Sequence, residues 1–433
     1  MLVYVDNITP RLQYTCAFIF EKYLGISYSL TNNLQYFEET NTPKINYSVS
    51  PTRCRYTLLP VPLLFENLIR EQEIICFEND GYKAFFKTPD SRFAFDIFAA
   101  TFYLLSRYEE YLPHKKDLYG RYAHENSIAF KEDFLQQPLV NIWLIKFSNS
   151  LKEVYPELEF KKNFYAFLPT YDIDIAWSFK NKGFLRDFGG LLLRPSLERI
   201  AVLQGKKRDP YDCFELLHRL HNDFLLDPIY FFLAAGNRGR YDKNSSLSSE
   251  DLKSLIKDHA DKYTIGIHPS WKSNDENGLL EKEKDYLSAQ LGGKPEITSS
   301  RQHYLKFNLP ETFSRLIAAG IKNEYSMGYG TVNGFRASIA SSFYWYDLQK
   351  ERQTELELHP FCFMDATCAF QQGQSSTEAY AELLYYYSVC KEVDGRLITI
   401  FHNNILGGNE RFKDWPAMYK RFISVVAGDT IPS

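Results

Sequence analysis

The stretch FLPTYDIDIAWSF, from Phe167 to Phe179, is apolar on both sides of two acids, Asp172 and Asp174. An ionised carboxylate is costly to bury unless something pairs with it. The segment therefore reads either as a strand ending in a solvated turn or as a strand carrying acids for a metal or a proton transfer. In an extended chain residues i and i+2 point the same way, so both carboxylates can share one site.

The rhythm around this stretch decides the fold class. Short apolar runs bounded by turn residues recur as FYAFLPT (164–170), PIYFFLAA (228–235), YTIGIH (263–268), EITSSR (296–301), IKNEYSM (321–327), LELHPFCF (356–363) and RLITIFH (396–402). Helix candidates lie between them, among them DPYDCFELLHRLHNDFL, SEDLKSLIKDHADK, LPETFSRLIAAG and STEAYAELLYYYSVCKEV. Buried strands alternating with helices imply parallel βαβ units. Seven such units in about 270 residues suit a (β/α) barrel, a fold usually near 250 residues.

Upstream the pattern differs. Strand-like MLVYVD, YTLLPVPLLF and EIICFE alternate with helix-like DIFAATFYLLSRY and a run beginning at Leu139. The polar stretch KEVYPELEFKKN (152–163) marks a boundary, giving a smaller α/β N-terminal domain over 1–155 and the barrel over 156–433. Two domains are also what 433 residues suggest.

Composition excludes several function classes. The chain is 45% apolar and 24% charged, with 31 Tyr and 34 Phe, which argues against disorder. Rings exposed in a cleft would suit sugar stacking, although most must be core. A net charge of −4 gives no electrostatic case for nucleic acid. The seven cysteines are scattered, without a CxxC pair, as expected of reduced thiols in a cytoplasmic protein. The start MLVYVDNITPRLQY lacks the basic and apolar regions of a signal peptide. FAFDIFAATFYLLSRYEEYL is interrupted by Asp96, Arg107, Glu109 and Glu110, too soon for a membrane span.

Ionisable residues gather at the expected carboxyl ends of strands: Asp172 and Asp174, then His268, Arg301 and His303, Arg336, and His402. In (β/α) barrels that face carries the active site. Taken singly, each has a structural reading. Asp174 suits a turn or helix cap as well as a metal, and His268 a satisfied strand end. His303 suits a loop tie, and His359 packing. His218 and His221 lie within a helical pattern and read as packing or surface residues.

In order, TYDID, IGIHPSW, RQHYL, GYGTVNGFRAS and FHNN resemble the motifs of NodB-type polysaccharide deacetylases, carbohydrate esterase family 4. FDIFAATFYLLSRYEEYLP and KDLYGRYAHENSIAF narrow the resemblance to a bacteroidete branch with an extra N-terminal domain of unknown function. The resemblance implies a distorted (β/α)7 barrel that removes N-acetyl groups from an amino sugar or polysaccharide precursor. It implies a divalent metal, usually zinc, held by Asp174 and His268, with Asp172 as general base and His402 as general acid. Arg301, Arg336 and Trp271 would bind the substrate, a carbohydrate, and Glu324 would be the acid of the fourth motif. A non-catalytic carbohydrate-binding or scaffold protein is the alternative. Two departures stand out. Ile173 separates the paired aspartates, and Lys272 stands where the family's second ligand histidine is expected. An ammonium cannot ligate, so His303 is expected as the third ligand.

Overall fold

The apolar runs define two sheets in the computed structural model, which describes residues 1–89, 91–180, 197–236, 239–243, 247–293 and 296–426. Near the N-terminus β1 (Leu2–Val5), β2 (Ser29–Thr31), β3 (Lys44–Tyr47) and β4 (Thr57–Leu58) pair in parallel in the order β2-β1-β3-β4. An antiparallel ribbon, β5 (Phe77–Asn79) with β6 (Tyr82–Ala84), follows. The helix Ile97–Leu105 starts where the Asp96 carboxylate accepts the Ala99 N–H at 3.0 Å. Such a cap satisfies one of the orphan donors of a helix start. Every residue of this helix is buried, so its apolar spacing marks an enclosed helix rather than an amphipathic one.

The second sheet holds β7 (Ala166–Ile173), β8 (Ile229–Leu233), β9 (Thr264–His268), β10 (Ser299–Ser300), β11 (Asn323–Glu324), β12 (Phe343–Asp347), β13 (Arg352–Leu358), β14 (Phe363–Met364) and β15 (Arg396–His402). Their order is β12-β13-β11-β10-β9-β8-β7-β15-β14, with only β12 antiparallel to its neighbour. Each apolar run read from the sequence overlaps one of these strands, while β12 and β14 were not anticipated as separate strands. Among the described residues no ladder joins β12 to β14, so the expected closure into a barrel is not seen as strand pairing. The edge strand β14 pairs along two residues only, which leaves little backbone for a further partner.

Both regions share one apolar cluster, which includes Val3, Phe98, Trp143, Tyr171, Leu383 and Phe422. Polar ties add direction. The Arg11 guanidinium meets Glu351 at 2.5 Å, Tyr14 donates to the Tyr344 carbonyl at 2.7 Å, and Asn141 donates to Ser341 at 2.9 Å. Among the described residues no helix is long and apolar enough to cross a membrane.

Candidate metal centre and active site

Register brings the ionisable residues together. Asp172 on β7 lies opposite His402 on β15 and Phe231 on β8; Leu233 on β8 lies opposite His268 on β9. Ile267 lies opposite Ser300, so Arg301 emerges at the same end of the sheet. A cavity of about 330 Å³ opens there, lined among others by Asp172, Asp174, His268, His303 and His402. Chain segments far apart in sequence thus converge at strand carboxyl ends.

A weak strand former supports this convergence. A side chain at Gly266 would collide with the Phe231 ring. Because Gly266 has none, Phe231 can lie beneath Arg301, whose guanidinium carbon is 4.4 Å from the ring centroid. Arg301 then donates to Asp172 Oδ1 at 2.8 Å, to Thr170 Oγ1 at 2.7 Å and to the Tyr325 carbonyl at 3.1 Å. This arrangement compensates the buried Asp172 charge and leaves Oδ2 as its oxygen nearer the histidines, 3.9 Å from His268 Nε2.

Asp174, His268 and His303 offer ligand atoms that all lie within 4.8 Å of one another. His268 Nδ1–H donates to the Arg301 carbonyl at 2.5 Å, and His303 Nδ1 pairs with Asp242 Oδ1 at 2.8 Å. A carbonyl oxygen can only accept, so the proton of a neutral His268 sits on Nδ1 and its Nε2 lone pair faces Asp174. Nε2 lies 3.3 Å from Asp174 Oδ1, and His303 Nε2 lies 3.6 Å from Oδ2. Lone pairs facing a carboxylate at this range repel unless a cation sits between them. Asp174 Oδ1 is moreover buried without a hydrogen bond, although a third of the side chain is exposed. Two imidazoles oriented through their far nitrogens, plus one carboxylate, form a donor set suited to zinc with open positions left over. The residues present therefore fit a divalent cation.

Without a metal, protons take that place. Burial opposes a charge on His303, but Asp174 and Asp242 raise it to about 9. Burial likewise opposes a charge on Asp174, yet His303 and His268 hold its carboxyl well below the usual range. Asp242→Asn should weaken zinc binding about 10- to 100-fold, the usual cost of losing an orienting partner, as measured by competition with a chromophoric chelator. An unchanged affinity would remove Asp242 from that role.

His402 occupies a second polar centre on the cavity wall. Asp365 accepts both its Nδ1–H, at 2.6 Å, and its backbone N–H, at 2.7 Å. Burial favours the neutral ring, but Asp365, Asp174 and Asp172 raise His402 to about 10. Asp365 thus favours the charged ring, in which Nε2–H is the proton it does not engage.

Three expected substrate residues do not line the cavity. Arg301 is wholly buried behind Asp172. Arg336 is buried against Glu110, donating from Nε at 2.9 Å and Nη2 at 2.6 Å, and its guanidinium carbon lies 4.1 Å from the Phe307 ring centroid. Trp271 lies one layer out, between Tyr241, at 4.8 Å between centroids, and the Lys306 ammonium, 3.4 Å from its centroid. Lys272 is exposed and pairs with Glu276 at 4.0 Å. Glu324, expected as an acid of the site, is sealed among the Ser300 and Ser326 hydroxyls and raised by burial to about 7. His359 stacks on Tyr325, and His221 accepts or donates a hydrogen bond with Tyr171 within the core.

Asp365 and Asp242 were missed. Asp365 follows the apolar FCFM, the same pattern that flagged Asp172, but β14 is two residues long and merges with the preceding run. Asp242 lies in the polar stretch RYDK and carries no local signal.

Residues 1–156 match a family of unknown function, DUF7033. No curated protein matches the chain. Among solved structures, a probable polysaccharide deacetylase from Pseudomonas aeruginosa PAO1 is 13% identical, covering 61% of this chain and 85% of its own, with a TM-score of 0.39. A PuuE allantoinase is 10% identical over the same shares, with a TM-score of 0.38. So small an overlap assigns neither a residue role nor a reaction to this chain.

Proposed function

We propose that the protein is a metal-dependent hydrolase that removes N-acetyl groups from an amino sugar or a polysaccharide precursor, working in a distorted barrel. The observation that carries this reading is a triad that could hold a cation, Asp174, His268 and His303, in one cavity with the Asp172 carboxylate and the His402 ring. A bound divalent cation would supply Lewis acidity toward the acyl oxygen and make water easier to deprotonate.

The chain's own groups do the rest. Asp172, held through Oδ1 by Arg301, accepts the proton of the attacking water. His402 Nε2–H gives its proton to the departing amine nitrogen as the C–N bond breaks, leaving a carboxylic acid and an amine. Asp365 holds the imidazolium in place and keeps it charged. An amine leaves poorly without such a donor, and positioned acid–base groups typically contribute 10²–10⁴-fold.

The decisive experiment is elemental analysis of the purified protein combined with a panel of N-acetylated sugars. Near-stoichiometric zinc or another divalent metal, lost in Asp174→Ala and His268→Ala, together with acetate release, is expected; no metal at any loading would end the metallohydrolase reading. Lys272→Ala should change neither, because the side chain is exposed and outside the cavity.

The pH profile tests His402. Asp365 raises its pKa above the ordinary imidazole value of about 6.5, so the acid form should persist beyond that pH and be lost as pH rises further. Asp365→Asn removes the first of the anions that raise it. The basic limb of kcat/KM should then move to lower pH, toward the ordinary imidazole value of about 6.5. A basic limb that stays in place would show that Asp365 does not set the acid.

A further inference from the structure

The alternation that turns Asp172, His268 and His402 toward the cavity continues to the other end of the sheet. In a strand every second residue shares a face. Thr170, Leu168 and Ala166 therefore follow Asp172 along β7, and Ile400, Ile398 and Arg396 follow His402 along β15. Between the two ends this face is filled by an apolar cluster that includes Phe231, Phe361, Ile398 and Ile400. Beyond it, at the amino ends of the strands, a groove of about 570 Å³ opens, lined by Leu168, Ile229, Tyr325 and Arg396 and by the loop 224–227.

Arg396 is the unusual member of that lining. It is half-buried, and among the described residues no carboxylate pairs with its guanidinium. Nη1 lies 3.4 Å from His359 Nδ1. A guanidinium can only donate, so Nδ1 accepts and the proton of a neutral His359 sits on Nε2, 2.9 Å from Asn323 Oδ1. His359 is itself buried and stacked on Tyr325, 4.5 Å between centroids. Burial lowers the pKa of this imidazole, which therefore supplies no counter-charge. Partial desolvation of an uncompensated guanidinium is a cost, so stability alone does not account for Arg396.

The charge around it has the same sign. A hollow of about 280 Å³ shares Ala166 and Arg396 with the groove and is lined also by Lys22, Lys161 and Lys162. Lys22 is engaged by Glu357 at 2.7 Å. Arg396, Lys161 and Lys162 then outnumber the acids of the two linings, Asp227 and Asp394. Apolar side chains meanwhile stand in water here, Leu225 being 80% exposed and Phe164 75%. Leu225 also has φ of 53°, a region that favours glycine, so packing explains neither its side chain nor its backbone.

We propose that this groove is a second binding site, for an amphiphile with one apolar chain and an oxyanion head, the chain lying along Phe224, Leu225 and Leu226 and the head meeting Arg396. Apolar walls with a few placed polar groups are the usual make-up of a small-molecule site. The planar guanidinium fork matches a carboxylate or a phosphate. The site stands at the opposite end of β7 and β15 from the metal centre and is independent of the hydrolase reading.

Isothermal titration of the full-length protein tests it. The probes are decanoate, decyl phosphate, decyltrimethylammonium and inorganic phosphate, the amphiphiles kept below their micelle concentrations. Arg396→Gln should bind both chain anions at least about tenfold more weakly, the usual worth of a hydrogen bond to a charged group. Leu225→Gly should bind them about three- to tenfold more weakly through lost apolar contact. Glycine suits the backbone at this position, so Leu225→Gly should melt as the parent does, which separates lost contact from misfolding. Binding of either chain anion, weakened in both variants, supports the site, and the tighter of the two identifies the head. Failure of both to bind, equal binding of the cation or of inorganic phosphate, or an affinity unchanged in either variant would overturn it.

Discussion

Asp172→Asn is expected to lower turnover by about 10²–10⁴-fold while leaving the metal content unchanged. The asparagine oxygen can still accept from Arg301 Nη1, which is 2.8 Å from Asp172 Oδ1 in the parent, so the side chain keeps its place. What it loses is the basicity of the second oxygen. Arg301 is fully buried and loses its counter-charge, but its bonds to Thr170 and the Tyr325 carbonyl remain. Some loss of stability should therefore accompany the kinetic effect, and a denaturation curve at the assay temperature separates them. Metal content distinguishes Asp172 from Asp174, whose loss should empty the centre. Full activity in a folded, metal-loaded Asp172→Asn protein would remove Asp172 as the base.

The second large effect lies away from the cavity, where Glu110→Ala should destabilise the protein by about 3–5 kcal/mol. Glu110 receives Arg107 Nε at 2.8 Å and Arg336 Nε and Nη2 at 2.9 and 2.6 Å, all three side chains being almost wholly buried. Arg107 would keep Glu109, at 2.8 Å, but Arg336 would keep, among the described residues, only the hydrogen bond to the Gly328 carbonyl, at 3.1 Å. A buried guanidinium without its carboxylate is the costly state; an exposed ion pair would lose far less. The pH dependence has a definite sign. Burial opposes the Glu110 charge, but Arg336 and Arg107 depress its pKa to about 2. The stabilisation is complete above the ordinary glutamate value, near 4.3, and is lost as pH falls through about 2. Urea midpoints at pH 7 for the parent, Glu110→Ala and Glu110→Gln measure the effect. A midpoint unchanged in Glu110→Ala would show that the network contributes nothing net.

Particular residues show how far the sequence could be read. The alternation of short runs with helical patterns located β7, β8, β9, β10, β11, β13 and β15; β8 and β15 are the continuous apolar runs expected of buried parallel strands, whereas β10 and β11 are two polar residues each beside apolar neighbours. It missed β12 and also β14, which is two residues long, and with β14 Asp365. Arg336 was expected at the substrate because GFRAS resembles a motif of the deacetylase family. Its partner Glu110 lies 226 residues away, a separation that no local pattern reveals.

The sequence by itself determined the α/β class, the polarity of the sheet and the identity of the acids and histidines at strand ends. Apolar periodicity and chemical type are local properties, legible without coordinates. Only the tertiary structure decided which of these groups face one another. It brought His303, rather than Lys272, to Asp174 and His268, paired Asp365 with His402, and carried Tyr119 from the N-terminal region onto the cavity wall. Electrostatic compensation depends on distances of a few ångströms between atoms that the chain separates by tens to hundreds of residues, and folding alone sets those distances.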